Sequence, residues 1–218
     1  MPGLYQGNNK IRDVINYGVY AGSQAIKAIY HGSDLVYQFN AYNPDTILAD
    51  TAGENIVTIT LKPGVYYVEI AGGGGGGGGT VYGQGMWSNS GGSGASVYGE
   101  FYNPREQSFT LCAGGITALS YMNVGETRVI TADNGTSGQS IFGDAHGIGG
   151  EGTINFGDSL QNVSVTAHRG NNGIYAAQTI APATASVSPN GWGAGGQGIA
   201  GTPGSVGGIY LQYKRAEI

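Results

Sequence analysis

Few residues of this 218-residue chain have the types and spacing that catalysis or metal binding requires. The three histidines, His31, His146 and His168, are far apart, and no serine stands in the G-x-S-x-G pattern of a hydrolase nucleophile. Asp144 and His146 form an Asp-x-His pair, but two ligands are too few for a zinc site. Cys112 is the single cysteine, which excludes an intrachain disulfide and a cysteine metal cluster. We therefore expect no metal site.

The acidic residues leave one enzymatic alternative open. Hydrolysis of a glycosidic bond needs two carboxyl groups that face each other, and the sequence does not show which of its acidic residues would form such a pair. No Gly-Lys-Ser or Gly-Lys-Thr occurs, and Gly193-Ala194-Gly195 is not placed between a strand and a helix, so nucleotide-binding loops are not indicated. We expect a protein that is not an enzyme, with no catalytic residue and no cofactor.

A binding function is easier to support, because large aromatic side chains stand between glycine runs. Tyr82, Met86 and Trp87 lie between the first two runs, and Tyr175 and Trp192 flank the later ones. Tyrosine and tryptophan provide a large contact area at a low cost in conformational entropy. These five residues are the predicted receptor-binding residues. Packing of the two tryptophans against the glycine-rich part is the alternative.

Charge and hydropathy exclude two classes of partner. The formal net charge is −5, from 9 basic and 14 acidic residues, and no basic block occurs, which argues against a nucleic-acid partner. No apolar run reaches the 18 residues expected of a membrane-spanning helix, so we expect no membrane insertion. The first residues lack the apolar core of a classical signal peptide.

Glycine poses the main structural question, since it accounts for 43 residues and its distribution is uneven. The first 70 residues contain 7 glycines, whereas residues 71–208 contain 36. The run Gly72–Gly79 has no side chains to pack as a strand or helix. It can adopt a polyproline-II-like conformation, in which adjacent chains satisfy each other's backbone groups and glycine permits close approach. Flexible loops are the alternative. The predicted structural glycines are Gly72, Gly75, Gly78, Gly149, Gly195 and Gly198.

The elements that must position these residues are strands. Alternating and β-branched residues predict strands at Ile56–Leu61, Val65–Ile70 and Ile209–Tyr213, and no segment shows a convincing helical period. Residues Ser96–Phe101 and Ser108–Cys112 are interpreted as a hairpin. The sequence therefore predicts a mainly β protein with a small N-terminal β module, residues 1–44, followed by residues 45–218, a β-sandwich-like domain with packed polyglycine-II helices.

The order of these patterns resembles the glycine-rich domains of phage tail adhesins and of some bacterial surface proteins. A strand leads into a glycine run, then further strands alternate with glycine-rich runs until a final G-G-I-Y strand. A similar module occurs in the ectodomain of one vertebrate receptor kinase group. The segment Ile26–Tyr37 resembles a short element of phage tail proteins. The ranges that carry the glycine-rich likeness are Val65–Gly79, Gly91–Phe101, Phe109–Gly115, Gly143–Gly152 and Gly191–Tyr213.

The resemblance implies a function, a location and partners. It implies a phage tail-tip or tail-fibre adhesin in the virion tail, whose loops between glycine-rich segments bind a bacterial surface receptor, either a polysaccharide or an outer-membrane protein. The N-terminal module would bind other tail proteins, and a homo-oligomer is left open. Two alternatives remain, namely a purely structural tail or baseplate component and a polysaccharide-degrading tail protein.

Overall fold

The computed structural model describes strand residues between 5 and 38, residue 42, and residues 44–82, 86–116, 119–141, 143–199 and 202–215. For the strands before residue 42 and for residues 81–82 the description covers the backbone alone. Within these residues the chain forms β-strands and no helix, which confirms the mainly β prediction.

The first strands form three separate antiparallel hairpins. Each pairs two consecutive short strands, and the third of them lies within Ile26–Tyr37 and the residue that follows it. The turn residues Gly32 and Ser33 lie outside the described residues. The strands are β1 (Tyr5–Gln6), β2 (Asn9–Lys10), β3 (Tyr20–Ala21), β4 (Gln24–Ala25), β5 (Ala28–His31) and β6 (Asp34–Gln38).

Two larger antiparallel sheets follow. The six-stranded sheet has the order β17-β12-β9-β20-β7, and β18 also pairs with β12. Its strands are β7 (Ile47–Ala52), β9 (Gly64–Ala71), β12 (Ser96–Asn103), β17 (Gln161–Asn162), β18 (Thr166–His168) and β20 (Gly208–Arg215). The five-stranded sheet has the order β16-β15-β14-β13-β8. Its strands are β8 (Asn55–Leu61), β13 (Gln107–Ala113), β14 (Ser120–Val124), β15 (Thr127–Ala132) and β16 (Gly152–Ile154).

Side chains from both sheets form one hydrophobic core. Tyr66, Val68 and Ile70 of β9 are completely buried and lie on one face of the strand, since successive side chains point to opposite faces. Phe101 of β12 and Phe109 of β13 lie with ring centroids 6.1 Å apart, so an aromatic contact joins the two sheets. Burial of these side chains is the main source of stability in this part of the chain.

The predicted hairpin of Ser96–Phe101 with Ser108–Cys112 is wrong, although both strands exist. The first lies in β12, which pairs with β9, and the second lies in β13, which pairs with β8 and β14. The turn between them crosses from one sheet to the other. Asn103 fixes this crossing, because its Nδ2 donates to the carbonyl oxygens of Leu61 and Lys62 while its Oδ1 accepts a hydrogen bond from Gln107.

A third, small sheet lies within the glycine-rich part. Its strands are β10 (Val81–Tyr82), β11 (Met86–Asn89) and β19 (Tyr175–Ala177), in the order β10-β11-β19. All of its pairings are antiparallel. This sheet brings together chain segments that are almost 90 residues apart in the sequence.

Candidate binding surface at the end of the glycine-rich segments

The glycine run 72–79 makes backbone hydrogen bonds in three directions with a period of three residues. Gly72, Gly75 and Gly78 donate to the carbonyl oxygens of residues 95, 92 and 89. Gly74 and Gly77 donate to those of residues 205 and 202. The remaining glycines donate to side chains of segment 133–140. Each third residue therefore faces the same neighbour, and the run satisfies its N–H groups without a strand or helix.

Segment 89–95 repeats this pattern. Its amides at 91 and 94 donate to residues 196 and 193, and those at 92 and 95 donate to residues 136 and 133. The amides at 90 and 93 donate to residues 174 and 171. These bonds join two glycine-rich segments to segments in which no two glycines are adjacent, namely 133–140 and 170–174. Neither of these segments was predicted from the sequence.

Close approach explains the glycines at the predicted structural positions. A Cβ on Gly75 would lie 2.0 Å from the carbonyl oxygen of Thr136, and one on Gly149 would lie 1.9 Å from that of Gly170. Real Cβ atoms do not approach other atoms this closely. Added Cβ atoms at the other four predicted positions, Gly72, Gly78, Gly195 and Gly198, would lie 2.1–2.5 Å from their nearest neighbours.

The ends of the segments fall into two sets. Six segments begin or end at a strand of the two large sheets: 72–79, 89–95, 133–140, 145–151, 170–174 and 202–207. Segments 181–184 and 193–198 are joined by residues 185–192, which bond to Glu69 of β9. The other four connections are loops, and their described residues, namely 80–82 and 86–88, 140–141 and 143–145, 175–180, and 199, therefore lie at the opposite end. We call this end the loop end.

Ser88 and Asn89 hold the loop end together, and both are completely buried. The Ser88 hydroxyl donates to the carbonyl oxygen of Gly198 and accepts from the amide of Ala181. Asn89 Nδ2 donates to the carbonyl oxygens of Gln139 and Gly143. Its Oδ1 accepts from the amide of Ala145. Two adjacent residues thus bond to the loop that contains Gly143 and to the ends of the two segments that lead into the loops at 175–180 and 199.

The loops expose large apolar side chains. Ile141, Ile180 and Ile199 are 46%, 43% and 39% exposed, and each belongs to a different loop. In the remaining loop, Met86 and Trp87 are half-buried. Exposed apolar groups that cluster at one place often mark a site of interaction. The three isoleucines were not predicted from the sequence, because Ile199 alone directly follows a glycine-rich run and no local pattern is common to all three.

Four of the five predicted receptor-binding residues lie at the loop end. Tyr82 pairs with Met86 in the β10–β11 register, and Tyr175 pairs with Asn89, two positions from Trp87. The side chain of Tyr82 lies outside the described part, whereas those of Met86, Trp87 and Tyr175 are half-buried. The small sheet therefore brings these four positions together.

Trp192 lies at the other end of the segments. Its indole ring packs on the α-carbon of Gly208, since a Cβ there would lie 2.2 Å from the ring. Its amide donates to Ser188 Oγ, and Ser188 in turn donates to the buried carboxylate of Glu69. Asn190 donates to Glu69 as well. The structure thus separates Trp192 from the other four predicted residues.

Charge is scarce at the loop end. Asp144 is the one acidic residue in the four loop sequences, and they contain no lysine or arginine. Asp144 contacts the ring of His146, and the hydrogen bond from His146 holds the pKa of this carboxyl below its ordinary value of 3.8. No group of three or more metal-ligating side chains is found among the described residues.

Comparison with known protein families and with characterised proteins finds no match for this sequence. In the part of the chain that the structure describes, no helix is long and apolar enough to cross a membrane.

Proposed function

We propose that this chain is a phage tail-tip or tail-fibre adhesin that binds a bacterial surface receptor through the loop end. The observation that carries the proposal is the convergence of four loops, three with an exposed isoleucine and one with Met86 and Trp87. The segments behind the loops are fixed by backbone hydrogen bonds. A rigid support of this kind leaves the loops free to vary in sequence, as recognition requires.

The proposal includes a specific architecture for the support. We infer that the glycine-rich segments are polyglycine-II helices and that the two large sheets pack as a β-sandwich. The three-residue period of the hydrogen bonds supports the first inference, because polyproline-II-like helices have three residues per turn. The shared core and the contact between Phe101 and Phe109 support the second.

Location and partners follow from the same proposal. Residues 1–44 attach the chain to other tail proteins, and residues 45–218 carry the receptor-binding surface. The receptor is a polysaccharide or an outer-membrane protein. The scarcity of basic residues in the loops favours a receptor surface that is neutral or apolar over one rich in phosphate. The proposal assigns no catalytic step, metal or cofactor to the chain.

Adsorption to bacterial cells tests the proposal. The purified full chain would be labelled and its binding measured on a panel of bacterial strains. In a strain that binds, the triple variant Ile141→Lys, Ile180→Lys, Ile199→Lys should lose at least about tenfold in affinity, because the charges would have to be desolvated in the contact. Ile47→Lys is the matched control, since Ile47 is 53% exposed on β7 of the six-stranded sheet.

Three outcomes contradict the proposal. Unchanged binding by the triple variant, with unaltered thermal unfolding, would place the contact elsewhere on the chain. Failure to bind any strain would favour a purely structural tail component. Release of reducing sugars from cell-surface polysaccharide by the purified chain would favour a polysaccharide-degrading tail protein.

A further inference from the structure

Strand β8 presents an open edge of the five-stranded sheet. Among the residues that the structure describes, it pairs with β13 alone, over seven residues and without a bulge. The carbonyl oxygen of Ser108 accepts from Gly125, on the far side of β13, so Ser108 and its partner Thr60 direct their backbone groups away from each other. Ile56, Thr58 and Thr60 therefore direct their N–H and C=O groups to the open edge.

Most of these edge groups have no partner in the described part of the chain. The exception is the carbonyl oxygen of Thr60, which accepts from the Tyr42 hydroxyl at 3.3 Å. The N–H and C=O groups of Ile56 and Thr58 are left for another strand or for water. An unpaired edge of this kind is a template for pairing with a further chain.

The side chains of β8 do nothing to prevent such pairing. Proteins protect open edges with charges, proline, bulges or short strands, and the sequence Asn55–Leu61 contains no charge and no proline. Ile56 is 62% exposed, the largest fraction among the exposed large hydrophobic residues of the described part. By contrast, the edge strand β7 carries Asp50 and its pairing contains an irregularity, while β16 and β17 have three and two residues.

We propose that the β8 edge is a self-association surface that pairs antiparallel with β8 of a second copy of this chain. A two-fold axis at Thr58 places Thr58 opposite its own equivalent, Ile56 opposite Thr60, and Val57 opposite Ile59. Each of these is a pair of β-branched residues, which favour adjacent positions in strands. The two five-stranded sheets then form one continuous sheet, and the contact is isologous and closed.

The area buried between the two β8 strands limits the affinity of the dimer. Seven paired residues bury less than the roughly 800 Å² per partner of a standard stable interface. The dimer is therefore weak and forms in a concentration-dependent manner. This inference concerns an edge of the five-stranded sheet and does not depend on the proposed receptor-binding function of the loop end.

Sedimentation velocity on the full chain at rising concentration tests the inference, together with amide hydrogen exchange at Thr58. We expect a monomer–dimer equilibrium and a Thr58 amide whose protection rises with protein concentration. Ile56→Lys should weaken dimerisation at least about tenfold, because the charge would lie opposite the uncharged Thr60 of the second copy and would be partly desolvated there. Thr58→Pro should weaken it as well, since it removes an N–H that has no partner among the described residues of the monomer. Ile148→Lys, at a 53% exposed isoleucine outside β8, should leave it unchanged.

A monomer at every concentration would overturn the inference, and so would a dimer that Ile56→Lys leaves intact. Protection of Thr58 in a monomer only after another tail protein is added would assign the edge to a strand of that protein instead. Should Thr58→Pro fail to fold, Ile56→Lys alone still decides the matter.

Discussion

At the scale of single residues, the glycines of 72–79 are distinguished by what lies over each α-carbon. On Gly75 a Cβ would lie 2.0 Å from the Thr136 carbonyl oxygen, whereas on Gly76 the nearest atom would be 3.3 Å away. Backbone atoms held by several hydrogen bonds cannot move aside at low cost. The identity of the residue is therefore dictated far more strictly at Gly75 than at its neighbour.

Replacement of these two glycines by alanine measures the difference. We expect Gly75→Ala to lower the free energy of unfolding by at least about 3 kcal/mol, because segments 72–79 and 133–140 must separate. Gly76→Ala should change it by less than about 1 kcal/mol, since the neighbour needs to shift by a few tenths of an ångström. Urea denaturation of both variants makes the comparison. Equal effects would mean that the segments are not in the close contact described.

Tyr67 provides a test at high pH. Burial, and after it the charge of Glu69, raises the pKa of Tyr67 to about 12 from its ordinary value of 10. Because the pKa of Tyr67 is higher in the folded state than in the unfolded state, its contribution to the free energy of unfolding is complete below pH 10. That contribution is lost as the pH rises towards 12. We expect a tyrosinate absorbance titration of the folded protein to contain a component near pH 12 that Tyr67→Phe removes. If Tyr67→Phe instead removed a component that titrates near pH 10, the buried environment assigned to Tyr67 would be refuted.

At the scale of elements, the loops of the loop end depend on side chains that lie in a neighbouring segment. Asn89 bonds to Gln139, Gly143 and Ala145 and so holds the loop 140–145. Asn123 differs, since the described part of the chain provides no hydrogen-bond partner for its buried Oδ1. The two asparagines therefore make a matched pair for measuring what such bonds contribute.

We expect Asn89→Ala to destabilise the protein by about 3 kcal/mol, because it leaves three backbone groups without their partner. Asn123→Ala should cost less than about 1 kcal/mol. Chemical denaturation gives the free energies, and limited proteolysis should detect faster cleavage within residues 140–145 in Asn89→Ala alone. Equal cleavage of the two variants would show that Asn89 does not position this loop.

The sequence predicted some elements better than others, for physical reasons. Strands such as β8 and β9 were predicted because alternation and β-branched residues are local signals. The partner of a strand is not a local property, so the hairpin of residues 96–112 was wrong. Segment 133–140 was not singled out because its hydrogen bonds form with distant backbone groups. Of the predicted binding residues, the sequence could not show that Trp192 lies away from the loop end.

At the scale of the whole molecule, the chain order interleaves the glycine-rich segments with both large sheets. Segment 72–79 bonds to segments that lie before β12, after β15 and before β20. None of these segments can satisfy its backbone groups alone, and each sheet contains strands that the segments separate in sequence. The structure thus predicts that the sheets and the glycine-rich segments unfold together.

The two tryptophans allow this cooperativity to be measured, because Trp87 lies at the loop end and Trp192 lies at the opposite end of the segments, beside β20, which we call the sheet end. In Trp192→Phe the fluorescence reports on the loop end alone, and in Trp87→Phe it reports on the sheet end alone. Within each variant, we expect the fluorescence transition in urea to coincide with the transition in far-ultraviolet circular dichroism, as for a two-state unit. If Trp87 fluorescence changed at a lower urea concentration than the dichroism of the same variant, the glycine-rich segments would unfold before the sheets, and their hydrogen bonds would not be coupled to the hydrophobic core.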